Sequence, residues 1–269
     1  MSVPVLQSRF ILVRMKHAIV RMLSLSFADG LTSIDLGPPL VELARQQHRA
    51  YCSVLEDCGL SLTNLEPDVR FPDSTFVEDT AILTSRGAII TRPGAPSRAG
   101  EVDEIATVVG RFYQDVHVIE EPGTVDGGDV CDAGGHYFIG LSKRTNVAGA
   151  TQLAEHLRRF GFTSSLIDLD GVSNILHLKS GIAYLSEKRL VVIKDLAGRD
   201  EFRDYERIVV PDGAEYAANC VEINGVVLVA SGYDHFDEQL KALGYQTLKL
   251  DMSEFQKMDG GLSCLSLRF

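Results

Sequence analysis

Along the chain, short runs of β-branched and aliphatic residues alternate with longer stretches in which apolar positions recur every three or four residues. The short runs read as strands at His17–Met22, Ala81–Thr84, Ala88–Thr91, Val116–Glu120, Tyr137–Leu141, Ser165–Leu169, Ile182–Leu185, Leu190–Ile193 and Val221–Ala230. The longer ones read as amphipathic helices at about Pro39–Cys58, Arg98–Phe112, Asn146–Phe160 and Asp234–Leu243. The second has Ser97 as its N-cap and Glu101 in its first turn, and a fifth, weaker helix falls near Arg199–Arg207. This order of short strands, helix and strand recurs about five times, which predicts the α/β class. A ring of repeated β/α units around a central site suits the alternation, and so does an ordinary doubly wound sheet. No Ser/Pro-rich linker or composition step divides the chain, so residues 16–269 read as one domain. Residues 1–15 read as an N-terminal extension of uncertain status, with Met15 as an alternative start.

Composition narrows the classes. The 269 residues are 45% apolar, enough for a substantial core. Lys and Arg total 26 against 37 Asp and Glu, a net charge of −11, which is the wrong sign for binding nucleic acid. The same balance favours approach of a small cationic ligand wherever carboxylates line a cleft. The five cysteines are scattered and form neither a C-x-x-C pair nor a Cys/His zinc spacing, which points to a reducing cytoplasm and to no bound metal. Arg14, Lys16 and Arg21 interrupt the early apolar runs before signal-peptide length, so neither secretion nor a membrane partner is expected.

Five stretches are richer in polar, charged or small residues than a plain strand or turn requires: Asp29–Ser33, Phe71–Asp79, Pro122–Val130, Ile175–Gly181 and Asp259–Phe269. Cys264 follows Gly260, Gly261, Leu262 and Ser263, where backbone can approach a ligand closely. Taken alone it reads as a buried inert thiol, and only a base elsewhere in the chain makes it a nucleophile. His177 lies in a strand-like run opposite Leu176 and Leu178, and reads as a structural histidine or as that base. Asp126 and Asp129 flank Gly127–Gly128, a pattern shared by plain Asp-Gly turns, and Asp73 follows Pro72 in the same way. Glu78 and Asp79 are adjacent, so a strand would send them to opposite faces unless it ends or bulges there. Arg98 and Arg144 read as solvated residues or as a bidentate clamp for a carboxylate.

In order, the segments DGLTS, FPDSTFVED, TRPGAPSRAGE, GTVDGGD, GLSKRTN, LHLKSG, YAANC and DGGLSCLSLRF resemble the dimethylarginine dimethylaminohydrolase family, from about His17 to the C-terminus. The resemblance implies the five-fold pseudosymmetric α/β propeller of the guanidino-modifying (pentein) enzymes, built of ββαβ units. It implies hydrolysis of asymmetric dimethylarginine and monomethylarginine to citrulline and the methylated amine, without a cofactor. Carried over by position, Cys264 is the nucleophile, His177 the acid and base, and Asp126 the supporting carboxylate, where some bacterial relatives carry Glu. By the same resemblance Asp73, Glu78 and Asp79 bind the cationic end, Arg98 and Arg144 hold the α-carboxylate, and the backbones near Leu31 and Met258 add polar contacts. A homodimer is compatible with this reading. The rival readings are an arginine deiminase, an amidinotransferase and a non-catalytic sensor of arginine derivatives.

Overall fold

The structure, a computed structural model, describes residues 14–173 and 175–269; residues 1–13 of the expected extension lie outside it. Strand β1 (His17–Arg21) leads through helix α1 (Val41–Asp57) to β2 (Ser61–Leu65), which pairs parallel to β1. The second unit pairs β3 (Ala81–Leu83) antiparallel with β4 (Ala88–Ile90), then crosses through α2 (Val102–Val109) to β5 (Val116–Val118), parallel to β4. The third repeats this with β6 (Val130–Asp132), β7 (His136–Leu141), α3 (Val147–Arg159) and β8 (Thr163–Asp168). In the fourth, β9 (Ile182–Leu185), β10 (Arg189–Val192) and β11 (Glu206–Val209) keep the pattern, but two 3-10 turns, Lys194–Leu196 and Asp200–Phe202, replace the crossover helix. The fifth has β12 (Val221–Ile223), β13 (Val226–Ala230), α4 (Asp234–Ala242) and β14 (Gln246–Leu250). After the short α5 (Ser253–Gln256), the last strand, β15 (Leu267–Arg268), returns antiparallel to β1. It supplies the hairpin partner that the first unit lacks, so the chain ends close the set of five ββαβ units.

The order follows from hydrogen-bond geometry: a parallel pair needs a crossover, and an antiparallel pair needs only a tight turn. The middle strand of every sheet is almost wholly buried, which is why β4, β10 and β13 are near-continuous Val, Ile and Leu. The crossover helices cover them. α3 lays Ala150, Leu153 and Leu157 over Val130 and Ile139, all at most 3% exposed, and each large side chain so buried contributes about 1.5–3 kcal/mol.

Three expectations are corrected. Val221–Ala230 is two strands, because Asn224 and Gly225 both take positive φ (51° and 94°) and make a two-residue hairpin turn. The weak helix at Arg199–Arg207 is the turn Asp200–Phe202 followed by β11. Ser97 is not an N-cap: Pro96 opens a 3-10 turn, Pro96–Glu101, and α2 begins only at Val102, so Arg98 and Glu101 lie on that turn.

A feature absent from the strand and helix pattern positions the centre. A 3-10 turn precedes the first strand of each hairpin: Val77–Thr80, Gly127–Asp129, Leu178–Ser180, Glu215–Ala218 and Ser263–Leu265. Val77–Thr80 touches both Ser263–Leu265 and Gly127–Asp129; Gly127–Asp129 touches Leu178–Ser180, which touches Glu215–Ala218. Hydrogen bonds between Asn219 and Ser263 close the circle. Among the described residues, no helix is long and apolar enough to cross a membrane.

Candidate active site

The five turns carry or directly follow Glu78, Asp79, Asp126, Asp129, His177 and Cys264 of the residues that the sequence singled out, whereas Asp73, Arg98 and Arg144 lie off them. His177 is not in a strand; it caps the turn Leu178–Ser180 with extended backbone, and its ring is buried. Its Nε2 lies 3.0 Å from Asp126 Oδ2. Asp126 is fully buried, takes the Gly94 N–H on Oδ1 at 2.8 Å, and gives its own N–H to Thr145 Oγ1. Next in the chain, Gly128 donates its N–H to Asp79 Oδ1 at 2.8 Å. A Cβ at Gly128 would stand 2.8 Å from His177 Nδ1 and 3.0 Å from Asp79 Oδ1, so the Asp-Gly-Gly-Asp segment admits only glycine between its two acids here.

Glu78 and Asp79 serve one centre because they ride the turn Val77–Thr80, which ends where β3 begins. Successive residues on a 3-10 turn step by about a third of a circle, not a half. Asp79 pairs with Arg98 Nη1 at 2.5 Å. Burial pushes its carboxyl up, but His177 and Arg98 outweigh that and hold it down at about 2. Burial likewise opposes a charge on His177, yet Asp79, Asp129 and Asp126 together lift it to about 9. The ring is therefore an imidazolium at neutral pH. Burial together with Glu78 and Asp79 pushes the Cys264 thiol up to about 12, against the weaker pull of the Gly261 N–H, 3.4 Å from Sγ, and of Lys179. At rest the centre holds a neutral thiol and a charged histidine.

The structure is less kind to the expected binding groups. Arg98 is buried and is no bidentate clamp for a ligand: Nε and Nη2 bind Glu101, Nη2 also binds the Phe76 carbonyl, and Nη1 binds Asp79, leaving one N–H of Nη1 without a partner among the described residues. Arg144 is half-buried, and its guanidinium makes no ion pair among the described residues. Glu78 is also taken: Oε1 meets Lys179 Nζ at 2.6 Å and Arg268 Nη2 at 3.4 Å, and Oε2 accepts from Ser263 Oγ at 2.6 Å. Of the three acids expected to hold a cation, only Asp73 has no cationic partner within ion-pair distance among the described residues. It accepts the Leu31 N–H at 3.0 Å, and burial raises its pKa against the pull of Arg98. A Cβ on Gly30 would meet its Oδ1 at 2.5 Å and the Met258 methyl at 3.2 Å, so Leu31, Asp73 and Met258 form one group. Leu31 is 41% exposed; Met258 is buried beside Phe76 and Cys264 in the same apolar cluster.

Sequence reasoning gave no site role to Glu101, Lys179, Asn219 and Ser263, and left Asp129 open between an Asp-Gly turn and a site carboxylate. Asp129 is buried, accepts from Ser142 Oγ, Thr145 Oγ1 and the Leu178 N–H, and fixes the start of the turn behind His177. Each lies within a motif already quoted, so proximity in sequence was the available signal; Glu101 pairs within its own unit, while Lys179, Asn219 and Ser263 find partners on other units. Asp79, Asp126 and His177 also offer donor atoms within 4.8 Å of one another, the spacing of a cation site. The imidazolium and Arg98 already bring to those carboxylates the positive charge a metal would supply.

No protein-family model matches the chain. It is 46% identical over 255 residues to N(G),N(G)-dimethylarginine dimethylaminohydrolase of Pseudomonas aeruginosa, covering 94% of this chain and 99% of that one. The enzyme of the same name from Streptomyces coelicolor is 34% identical over 255 residues, 94% of this chain and 96% of that one. Among solved structures, a cysteine-to-serine variant of the Pseudomonas aeruginosa protein complexed with citrulline superposes with a TM-score of 0.92 at 45% identity, covering 95% of this chain and 100% of that one.

Proposed function

The chain belongs to the dimethylarginine dimethylaminohydrolase family and has its five-unit pentein fold, and from that premise we propose that it hydrolyses Nω-methylated arginines to citrulline and dimethylamine or methylamine, with Cys264 as nucleophile, His177 as acid and base, and Asp126 orienting His177. The observation that carries the assignment is the pairing of opposite perturbations around Asp79: burial with Glu78 and Asp79 holds the Cys264 thiol near 12, while Asp79, Asp129 and Asp126 lift the His177 imidazole to about 9. Among the described residues the centre still lacks a cation for Asp73. A guanidinium supplies it, and by doing so lowers the cost of ionising the thiol.

Asp73, unpaired at rest, offers a carboxylate to a cationic group of the substrate, while Asp79 and Glu78 act on the guanidinium mainly through their charge. Arg144 and the remaining N–H of Arg98 hold the α-carboxylate, and the backbones at Leu31 and Met258 line the approach. As the cationic substrate binds, the Cys264 thiol releases its proton to solvent; the thiolate attacks the guanidinium carbon and an S–C bond forms. Imidazolium His177 gives its proton to the substituted nitrogen, the C–N bond breaks, and the methylated amine departs, leaving a thiouronium. With Nε2 held by Asp126, neutral His177 takes a proton from water and is again an imidazolium; hydroxide adds to the carbon, the S–C bond breaks with its electron pair on sulfur, the hydroxyl proton passes to that thiolate as the ureido carbonyl forms, and citrulline leaves the neutral thiol of Cys264 behind. One water is consumed and one amine released per turnover. Five cysteines without a disulfide partner support a reducing cytoplasm as the setting of the reaction.

Mass-spectrometric product analysis with asymmetric dimethylarginine, monomethylarginine and arginine tests the reading, with Cys264→Ser as control. Citrulline plus dimethylamine or methylamine, abolished in the variant, is expected. Citrulline and ammonia from arginine alone would reassign the chain as a deiminase, and turnover by Cys264→Ser would remove the nucleophile from the mechanism.

A further inference from the structure

Next to Cys264 in sequence runs a closed circuit of hydrogen bonds that the reaction does not consume. Asn219, 7% exposed at the end of the turn Glu215–Ala218, gives one N–H of Nδ2 to the Lys179 carbonyl at 2.9 Å and the other to Ser263 Oγ at 3.0 Å. Its Oδ1 accepts the Ser263 N–H at 2.9 Å. Ser263 passes its own O–H to Glu78, and Glu78 binds Lys179 Nζ, which returns the circuit to its start. Four residues on four turns from four different units are joined in one loop. The amide orientation follows from the chemistry, since the flipped form would set NH₂ against an N–H and oxygen against a carbonyl. Gly261 completes the seat: a Cβ there would come within 2.5 Å of Asn219 Oδ1.

We propose that Asn219 is a positioning residue that fixes the turn carrying Cys264 against the turn carrying His177. The inference rests on the assignment of those two residues above. The five sheets share no strand pairing with one another, so the register of the central turns is set by side chains and not by a ladder. Cys264 follows Ser263 directly, and His177 lies two residues before Lys179, so Asn219 ties the two reacting groups through one rigid amide. Asparagine suits the task because its planar group presents two donors and an acceptor together; aspartate lacks the donors. Asp73 and Arg144, the groups that hold the substrate, make no hydrogen bond with Asn219 among the described residues. Its loss should therefore leave ground-state binding in place while loosening the line from sulfur to carbon.

Asn219→Ala is expected to lower kcat about 30- to 100-fold, the scale of a misplacement of about 1 Å, with KM within about threefold of wild type. Alkylation of Cys264 by iodoacetamide, which needs no alignment with a bound guanidinium, should keep its rate and pH profile. Ser263→Ala added to Asn219→Ala should cost no more than about threefold further, because the circuit is already open. A kcat within about threefold of wild type, a loss carried by KM, or Ser263→Ala multiplying the loss in full would overturn the proposal. Should Asn219→Ala fail to fold, Asn219→Asp keeps the shape and the acceptor for Ser263 but both N–H bonds go; a loss of at least about tenfold in kcat supports the role and a smaller one sinks it. Wild-type turnover is run alongside. No citrulline from wild type defeats the assignment of function, whereas turnover unchanged by Asn219→Ala defeats only the positioning role.

Discussion

Occupying the site with a cation that cannot react should ionise Cys264. In the free protein the thiol stands near 12, so at neutral pH only about one molecule in 10⁴ to 10⁵ carries thiolate. An amidinium placed about 4 Å from the sulfur, at an effective dielectric of about 20, favours thiolate by about 4 kcal/mol. That corresponds to a lowering by about 3, from near 12 to near 9, and to a roughly thousandfold gain in thiolate at neutral pH. The perturbation is an arginine analogue in which carbon replaces the departing nitrogen, so that charge is kept and no leaving group remains. The assay is the ultraviolet absorbance of thiolate across a pH titration, taken as wild type minus Cys264→Ser, with and without saturating analogue. A midpoint moved acidward by two or more bears out the argument. Coincident curves would refute it, because a cation bound in the site would then not be close enough to Cys264 to favour its thiolate. A free protein already ionised at neutral pH would refute it from the other side.

Three further outcomes follow from the same charges. His177 has a folded-state pKa raised from 6.5 to about 9, so its contribution to stability is fully present below about pH 6.5 and lost as pH rises through 9, with an amplitude of about 3 kcal/mol; urea denaturation of wild type against His177→Gln at pH 6 and 9.5 reads it, and a constant difference between the two proteins contradicts it. Arg98→Met strands Asp79 and Glu101 as buried acids without their cation and should cost about 3–5 kcal/mol, read as the urea midpoint; a loss under about 1 kcal/mol would show that the pair is not structural. Gly128→Ala drives a methyl into His177 and Asp79 and should lower kcat by about 100-fold while far-ultraviolet circular dichroism is unchanged; full activity would mean that the close approach is dispensable.

The middle strands were legible in the sequence because burial on both faces writes a continuous apolar run, as in β10 and β13. The outer strands β2, β11 and β14 were not, since they are largely exposed and mix polar with apolar residues. Short 3-10 turns carry no periodicity at all, which is why His177 read as part of a strand and Glu78–Asp79 as a problem of opposite faces. The identities of the central residues were legible from motif resemblance. What the motifs could not express is which groups are already paired: Arg98 looked like a free clamp until Glu101, three residues on, and Asp79, before the first strand of the same unit, were seen to fill it.

That pairing also explains why a site crowded with acids is stable without its ligand. Asp126 is answered by His177, Asp79 and Glu101 by Arg98, and Glu78 by Lys179 and Arg268, so most of the buried negative charge is neutralised by cations of the protein itself. Asp73 and Asp129 are the exceptions, and burial raises the pKa of both. Asp129 is satisfied by two hydroxyls and a backbone N–H and is closed to a ligand. Among the described residues the Asp73 carboxylate has only the Leu31 N–H, and Leu31 is the exposed member of its group. The acid without a cation among the described residues thus lies beside the exposed Leu31, and we propose that a cationic substrate reaches it there. On the proposed mechanism, once the guanidinium has become a neutral ureido group the carboxylates beside Cys264 no longer have a charge at that end to hold, so the arrangement that favours entry also favours release.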